Sequence, residues 1–430
     1  MEYYFISDLH IGGDEALGVC DFENELIQFL EDIPNNSDEA ELIIIGDAFG
    51  LWEFTQVEGK EKLETLFAQF PRIFEVFRKV GEYIKITVLP GNHDYEIACY
   101  EEFVDLFMAY NIIVERTPSI IREIGGRSLW IEHGNQYDET NRMPDFGNPN
   151  AMPLGYFITK STVGKAGMLS KKGRNNWLKD IQSVYPTELI PDWMLSNYFY
   201  HEMSPWLRWM LLPFLLLSGL SIFVLGGSAL EYFQITDGNI FLNNRIFNSM
   251  GVVGSLFQII LTINAIVLLV LLVLSIPFGF LMRDLKGSLK RFGIELDPTE
   301  LTGEKEDLYF DAAKNVFNDD PETIAFIYGH THKPSIDKID SRYIINTGTW
   351  LKQFDRVKPI FGFLPAVYVP FYRLNYFKIK EEANELIVEY VNIEKETAVE
   401  LSQLQRMMIF RKKRNKRVRI PNKTVISVVS

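Results

Sequence analysis

Five of the six histidines lie in four short polar segments: Asp8-Leu9-His10, Gly91-Asn92-His93-Asp94, His133-Gly134 and Gly329-His330-Thr331-His332. A fifth segment, Gly46-Asp47, adds a carboxylate. Imidazole and carboxylate together suit Mn²⁺, Fe or Zn²⁺, whereas Mg²⁺ and Ca²⁺ prefer all-oxygen shells. Two cations roughly 3.5–4 Å apart need a shared ligand, and a carboxylate with two oxygens can bridge them. The one-residue alternation in Asp8-x-His10 and His330-x-His332 lets two side chains reach a common point from one turn of backbone. Gly46, Gly91, Gly134 and Gly329 allow the tight turns such crowding requires. A single Asp after a strand serves most often as a turn or cap residue, and a single His as a hydrogen-bonded structural one. The ordered set points instead to a binuclear metal centre.

Such segments need rigid elements behind them. Tyr3 to Ile6, Leu42 to Ile45, Ile84 to Leu89 and Ser128 to Ile131 are short strand-like runs, each ending in a polar loop. Asp21 to Leu30 and Lys60 to Val80 carry apolar residues at helical spacing. This repetition predicts a layered α/β fold with its chemistry at the carboxyl ends of the strands. The rhythm resumes with Ile324–Tyr328 and Tyr343–Asn346. Residues 1–150 and 321–400 therefore read as two parts of one core, 151–320 as an insertion and 401–430 as a basic tail.

Within the insertion, Trp209 to Leu230 is uncharged and long enough to cross a bilayer. A second uncharged stretch runs from about Gly251 to Met282, with Gln258 and Asn264 as its strongly polar members. The pair predicts a transmembrane helical hairpin with spans at about 209–230 and 255–282. Lys160, Lys165, Lys171, Lys172, Arg174, Lys179 and Arg208 precede it, and Arg283, Lys286, Lys290 and Arg291 follow it. The loop between holds Arg245 against Glu231 and Asp237. Positive flanks stay cytoplasmic, so a two-span protein of the inner or plasma membrane with a cytoplasmic catalytic domain is expected. Ile360 to Tyr372 reads as an edge strand and loop or as a patch dipping into the headgroups. The basic stretch Arg411 to Lys423 is expected to be drawn to anionic lipid.

The motifs D-x-H, G-D, G-N-H-D, H-G and G-H-x-H, in this order, resemble those of the calcineurin-like metallophosphoesterases across residues 1–150 and 323–350. Asn346-Thr347-Gly348-Thr349-Trp350 is similar to the segment many members carry after the last motif. The resemblance implies a layered β-sandwich flanked by helices, here with the hairpin inserted. It implies that Asp8, His10 and His332 hold one metal, that Asn92, His133 and His330 hold the other, and that Asp47 bridges them. His93 faces the leaving-group oxygen as proton donor or transition-state electrostatic partner, with Asp94 orienting it. Two divalent ions are implied, Mn²⁺ first and Fe or Zn²⁺ as alternatives, with a hydroxide between them as nucleophile. Glu132 and Asp138 are candidate partners behind the ligands.

The formal charge of −14 argues against nucleic acid as the main partner. Two cysteines, Cys20 and Cys99, offer no disulfide framework and fit a reducing cytoplasm, and the N-terminus lacks a signal-peptide pattern. An insertion between the fourth and fifth motifs sits beside the metal centre, so a membrane hairpin there predicts a lipid-linked phosphodiester or pyrophosphate substrate. The segment His133-Gly134-Asn135-Gln136-Tyr137-Asp138 is similar to that of the UDP-2,3-diacylglucosamine hydrolases, which suggests that compound as substrate. The alternatives are a soluble nucleotide or phosphoprotein with the hairpin as anchor only, or an inactive membrane scaffold. The sequence leaves the oligomeric state open.

Overall fold

The computed structural model describes residues 1–14, 17–33, 40–163, 165–166, 177–185, 189–208, 217–236, 240–241, 245–291, 301–360, 364–383, 385–395, 401–410 and 419–427. Its strands are β1 (Glu2–Ile6), β2 (Ala40–Ile45), β3 (Lys85–Leu89), β4 (Ile112–Val114), β5 (Ser119–Ile124), β6 (Arg127–Glu132) and β7 (Thr323–Tyr328). They continue as β8 (Ser335–Ile339), β9 (Arg342–Asn346), β10 (Gln353–Val357), β11 (Val367–Phe371), β12 (Leu374–Glu382), β13 (Glu385–Ile393) and β14 (Lys423–Ser427). A seven-stranded sheet has the order β14-β13-β12-β1-β2-β3-β4, and a five-stranded sheet has the order β5-β6-β7-β9-β8.

The apolar pattern of the strands explains the layering. In β2, Leu42 and Ile44 face helices 23–32 and 71–80, while Ile43 and Ile45 face the second sheet. A strand buried on both faces reads as a continuous apolar run, as Leu42 to Ile45 does. Phe5, Leu129, Ile327, Phe377 and Val388 fill the space between the sheets. Helix Leu301–Asp319 covers the outer face of the second sheet through Tyr309, Ala313 and Phe317 against Phe326 and Ile344. The result is the expected α/β sandwich flanked by helices.

The structure departs from the sequence reading in several places. Lys60 to Val80 is two helices, Lys60–Gln69 and Pro71–Val80, because Pro71 donates no amide and holds Phe70 off helical geometry. The C-terminal stretch is not simply a solvated tail. Gln403–Met408 is a helix opened by a Ser402–Gln405 capping box, and β14 extends the large sheet with Ile426 buried. Val367, Tyr368 and Val369 are buried in the β10–β11 hairpin, so that part of the aromatic run is strand and core rather than a lipid-dipping patch.

Among the described residues, one helix is long and apolar enough to cross a membrane, over Gly251–Leu281 within helix Gly251–Arg291. The expected first span falls partly outside the described residues, at 209–216; its described part is the 15-residue helix Ser218–Tyr232. The expected hairpin is thus represented by one spanning-length helix and a shorter one packed along it, with Ser221, Leu261 and Asn264 buried. Lys171, Lys172, Arg174 and residues 411–418 also lie outside the described residues.

Candidate metal centre

Parallel pairing of β1, β2 and β3, and of β6 with β7, points their carboxyl ends the same way. Asp8 and His10 follow β1, Asp47 follows β2, Asn92 and His93 follow β3, His133 follows β6, and His330 and His332 follow β7. The chain bends sharply at each exit. Five of the nine described non-glycine residues with positive φ are Asp8, His10, Asp47, His330 and His332, at φ 53°, 46°, 51°, 64° and 58°. Left-handed backbone costs an L-residue free energy, so its concentration here is a local strain that surrounding structure must hold. Part of that hold is visible: His10 N donates to Asp47 O at 2.9 Å, and Gly329 N donates to His133 O at 3.0 Å.

All seven expected ligands meet. Asp8, His10 and His332 each offer a donor atom within 4.8 Å of one another, and so do Asp47, His133 and His330. Asp47 lies between the two groups, with Oδ2 3.7 Å from His10 Nε2 and 3.3 Å from His133 Nε2. Asp8 Oδ1 lies 3.2 Å from His332 Nε2, and Asn92 Oδ1 lies 3.3 Å from His133 Nε2. His133 Nδ1 sits 2.8 Å from Ile45 O. A proton donated there leaves Nε2 with the lone pair a metal needs.

The sequence misplaced one role and missed one residue. Asp94 does not orient the His93 ring. It is fully buried, and its carboxylate accepts from the amides of Gly91 at 2.6 Å, Phe49 at 3.2 Å and Asp47 at 3.3 Å. It therefore ties the second and third loops together. The partner of His93 is Glu53, also fully buried, with Oε1 2.8 Å from His93 Nδ1. No motif marks Glu53; the one sequence signal is a carboxylate in the otherwise apolar run Ala48 to Phe54. Asp138 is buried with Oδ2 3.3 Å from His330 Nε2, while Glu132 accepts from Trp130 Nε1 at 2.7 Å. His201 lies apart, lining a cavity with Trp177 and Phe354.

The electrostatics suit cations. Burial alone would raise the Asp47 carboxyl, but His133, His93 and His10 hold it well below the usual carboxylate range. Burial and the His93 charge push His10 down to about 3, so its imidazole is neutral and able to ligate. For His133, burial is outweighed by Asp47 and Asp8, which lift it to about 10. A ligated cation would replace that proton as the positive partner of Asp47 and Asp8. Asp8 Oδ1 and both ring nitrogens of His10 are buried without a hydrogen-bond partner. Buried polar atoms are normally satisfied, and a cation satisfies this mixed oxygen and nitrogen donor set. The residues fit a divalent pair.

Crowding makes Gly91 indispensable. A Cβ there would run into Asp47 Oδ1 and the Asp47 amide. Gly91→Ala is expected to cost about 1–3 kcal/mol of stability through overpacking and to lower metal occupancy, since Asp47 is what must move. Thermal unfolding and elemental analysis of the purified variant check this; wild-type values for both would contradict it.

Tyr185, in the insertion, packs against His332 with the rings tilted by 32° and their centroids 4.9 Å apart. Tyr156, also from the insertion, meets Trp52 at 5.6 Å, and Trp52 lies 4.7 Å from the His93 ring. The insertion thus borders the centre on two sides.

Residues 1–209 match the sequence profile of the family described as Calcineurin-like phosphoesterase. The DNA polymerase II small subunit of Methanothermobacter thermautotrophicus is 28% identical over 153 residues, covering 31% of this chain and 30% of that protein's length. A crystal structure of a predicted phosphoesterase from Streptococcus pneumoniae TIGR4 aligns at 9% identity over 94% of this chain and 95% of that chain, with a TM-score of 0.28. Zinc-complexed Vps29 from Entamoeba histolytica aligns at 9% identity over 91% and 92% of the two chains, with a TM-score of 0.27. At such scores neither structure bears on fold or chemistry.

Proposed function

We propose that this chain, which carries a calcineurin-like phosphoesterase domain, hydrolyses a phosphodiester or pyrophosphate bond of a lipid-linked substrate at a membrane surface. One observation carries the hydrolytic reading: six donors from four other strand ends gather about Asp47, whose carboxylate lies within 3.7 Å of His10 and His133. In this reading Asp8, His10 and His332 hold one divalent cation and Asn92, His133 and His330 the other, with Asp47 shared. Bound there, the pair would supply a water whose pKa is lowered to about 7 and positive charge beside the phosphoryl oxygens; Mn²⁺ suits the donors first, with Fe or Zn²⁺ as alternatives.

The protein's own groups divide the remaining work. Glu53 occupies His93 Nδ1, which leaves Nε2 to hold a proton at the leaving-group oxygen. Burial works against the charged ring, yet Glu53 and Asp47 lift His93 to about 9, so the proton is present at neutral pH. Asp138 holds His330 from behind, and Asp94 keeps the Asp47 and Gly91 loops in register.

The lipid-linked part rests on the insertion. The stretch that places Tyr156 and Tyr185 at the centre leads, through Leu207 and Arg208, toward the apolar helices. Helix Gly251–Leu281 exposes Val252, Ile263, Leu272 and Leu281 along its length. Exposed apolar surface of that extent seeks lipid, and the net charge of −14 favours a partner other than nucleic acid. UDP-2,3-diacylglucosamine is the specific candidate. The full chain with Mn²⁺ in nanodiscs should consume it and, more slowly, bis-p-nitrophenyl phosphate. Cleavage of the chromogenic diester and soluble nucleotides but of no lipid-linked compound would reject the lipid reading. Absence of any Mn²⁺-dependent cleavage would reject the hydrolytic one.

A further inference from the structure

We infer that Lys62, remote from any substrate, is a positioning residue that clamps the Glu53–His93 couple; the inference rests on the role given to His93 above. Lys62 lies in the first turn of helix Lys60–Gln69, and its side chain is 2% exposed. Burying an ammonium costs several kcal/mol unless partners compensate. Here the compensation is specific: Nζ donates to Leu51 O at 2.9 Å and to Glu96 Oε1 and Oε2 at 2.9 and 2.8 Å.

Those acceptors belong to the two segments that form the couple, Leu51 in the loop that carries Glu53 and Glu96 at the start of the helix Glu96–Cys99 that follows His93. Leu51 lies two residues before Glu53, and Glu96 lies three after His93. The loops are already joined near the metal centre, where Asp94 accepts from the Asp47 and Phe49 amides and the His93 amide donates to Asp47 Oδ1, and farther along, where the amides of Leu51 and Trp52 donate to His93 O at 3.1 and 3.2 Å. Lys62 adds a charged joint on the side away from Asp47, gripping the Leu51 carbonyl and the Glu96 carboxylate at once. Trp52, between them, packs its ring 4.7 Å from that of His93. On the far side Asp14 holds the same segment, accepting from Thr55 N at 2.6 Å and Gln56 N at 3.1 Å. A group outside the reaction is thereby made to set the height and angle of His93. Lys62 and Glu96 are not themselves in a donor group, whereas the couple they hold, Glu53 and His93, forms one with His10, so metal content is measured beside kcat.

The test combines peptide-resolved hydrogen exchange with kinetics on the full chain. In Lys62→Met, amides in peptides spanning 47–58 and 88–97 should exchange at least about 10-fold faster. kcat for bis-p-nitrophenyl phosphate with Mn²⁺ should fall about 10-fold or more, as expected for loss of alignment, with KM and metal content near wild type. Lys62→Arg should recover part of both. In a His93→Ala background the same substitution should leave kcat within about 2-fold, because the group being positioned is gone. Should Lys62→Met fail to fold, Lys62→Met with Glu96→Leu replaces the pair by apolar groups and should show the same loosened peptides. Wild-type protection in either folded variant overturns the clamp, and so does an equal loss of kcat with and without His93. If the wild type cleaves no diester, the hydrolytic reading fails while the exchange data still decide whether Lys62 holds the loops.

Discussion

Asp47→Ala is expected to abolish turnover, by more than about 10³-fold, and to remove both cations together. Removing a single electrostatic donor from a catalytic site costs about 10²–10³-fold, and Asp47 does more than one such group. Its Oδ2 faces His10 in one donor group and His133 in the other, at 3.7 and 3.3 Å. Its Oδ1 accepts the His93 amide at 2.7 Å, so the loop that carries the proton donor leans on it as well. Alanine would also leave His133 without the charge that now dominates its environment. Elemental analysis after gel filtration and a diester assay with excess Mn²⁺ read the two effects. A variant that keeps two metals per chain, or a tenth of the activity, would remove Asp47 from the bridging position.

How much of this was visible beforehand depended on whether a residue's role is local. Asp8, His10, His330 and His332 were legible because two side chains on one strand exit, separated by one residue, announce a common target. The strands were legible because Leu42 to Ile45 and Ile324 to Tyr328 are apolar on both faces, which a sandwich between helices demands. Glu53 was not legible: it reaches His93 across a fold-back between two loops, and chain order favours the neighbour Asp94. That neighbour instead caps three amides, a role set by how the Gly91 turn and the Asp47 turn happen to face each other. β14 was hidden because its apolar content is brief, Val425 and Ile426 beside a strongly basic stretch, and only pairing with β13 makes a strand of it. The apolar helices mark a third limit. Hydropathy reports that Gly251–Leu281 will not face water alone, whereas the length of its companion depends on where chain turns fall.

His93→Ala separates chemistry from metal binding. The expected loss is about 10²-fold or more in kcat, with metal content unchanged; His93 forms a third donor group with His10 and Glu53, so metal content is the measurement that separates the two roles. Its nearest ring contacts are His10 at 4.6 Å and Trp52 at 4.7 Å, and its Nδ1 is engaged by Glu53 at 2.8 Å. Glu53→Gln should mimic it in part. The glutamine can still accept at Nδ1 but no longer supplies the charge that, against burial, lifts His93 to about 9. A protonated ring required for leaving-group departure is lost as pH rises through its pKa, so lowering that pKa moves the alkaline limb of the rate profile to lower pH. The acid limb should stay in place. A substrate with a good leaving group, p-nitrophenolate, needs the proton less than an alkoxide does, so both substitutions should cost more on an alkyl diester than on the chromogenic one. Equal losses on the two would mean that His93 acts on the charge of the phosphoryl group rather than on the departing oxygen. Loss of metal from His93→Ala would place the ring among the ligands and reverse the division of roles between it and Asn92.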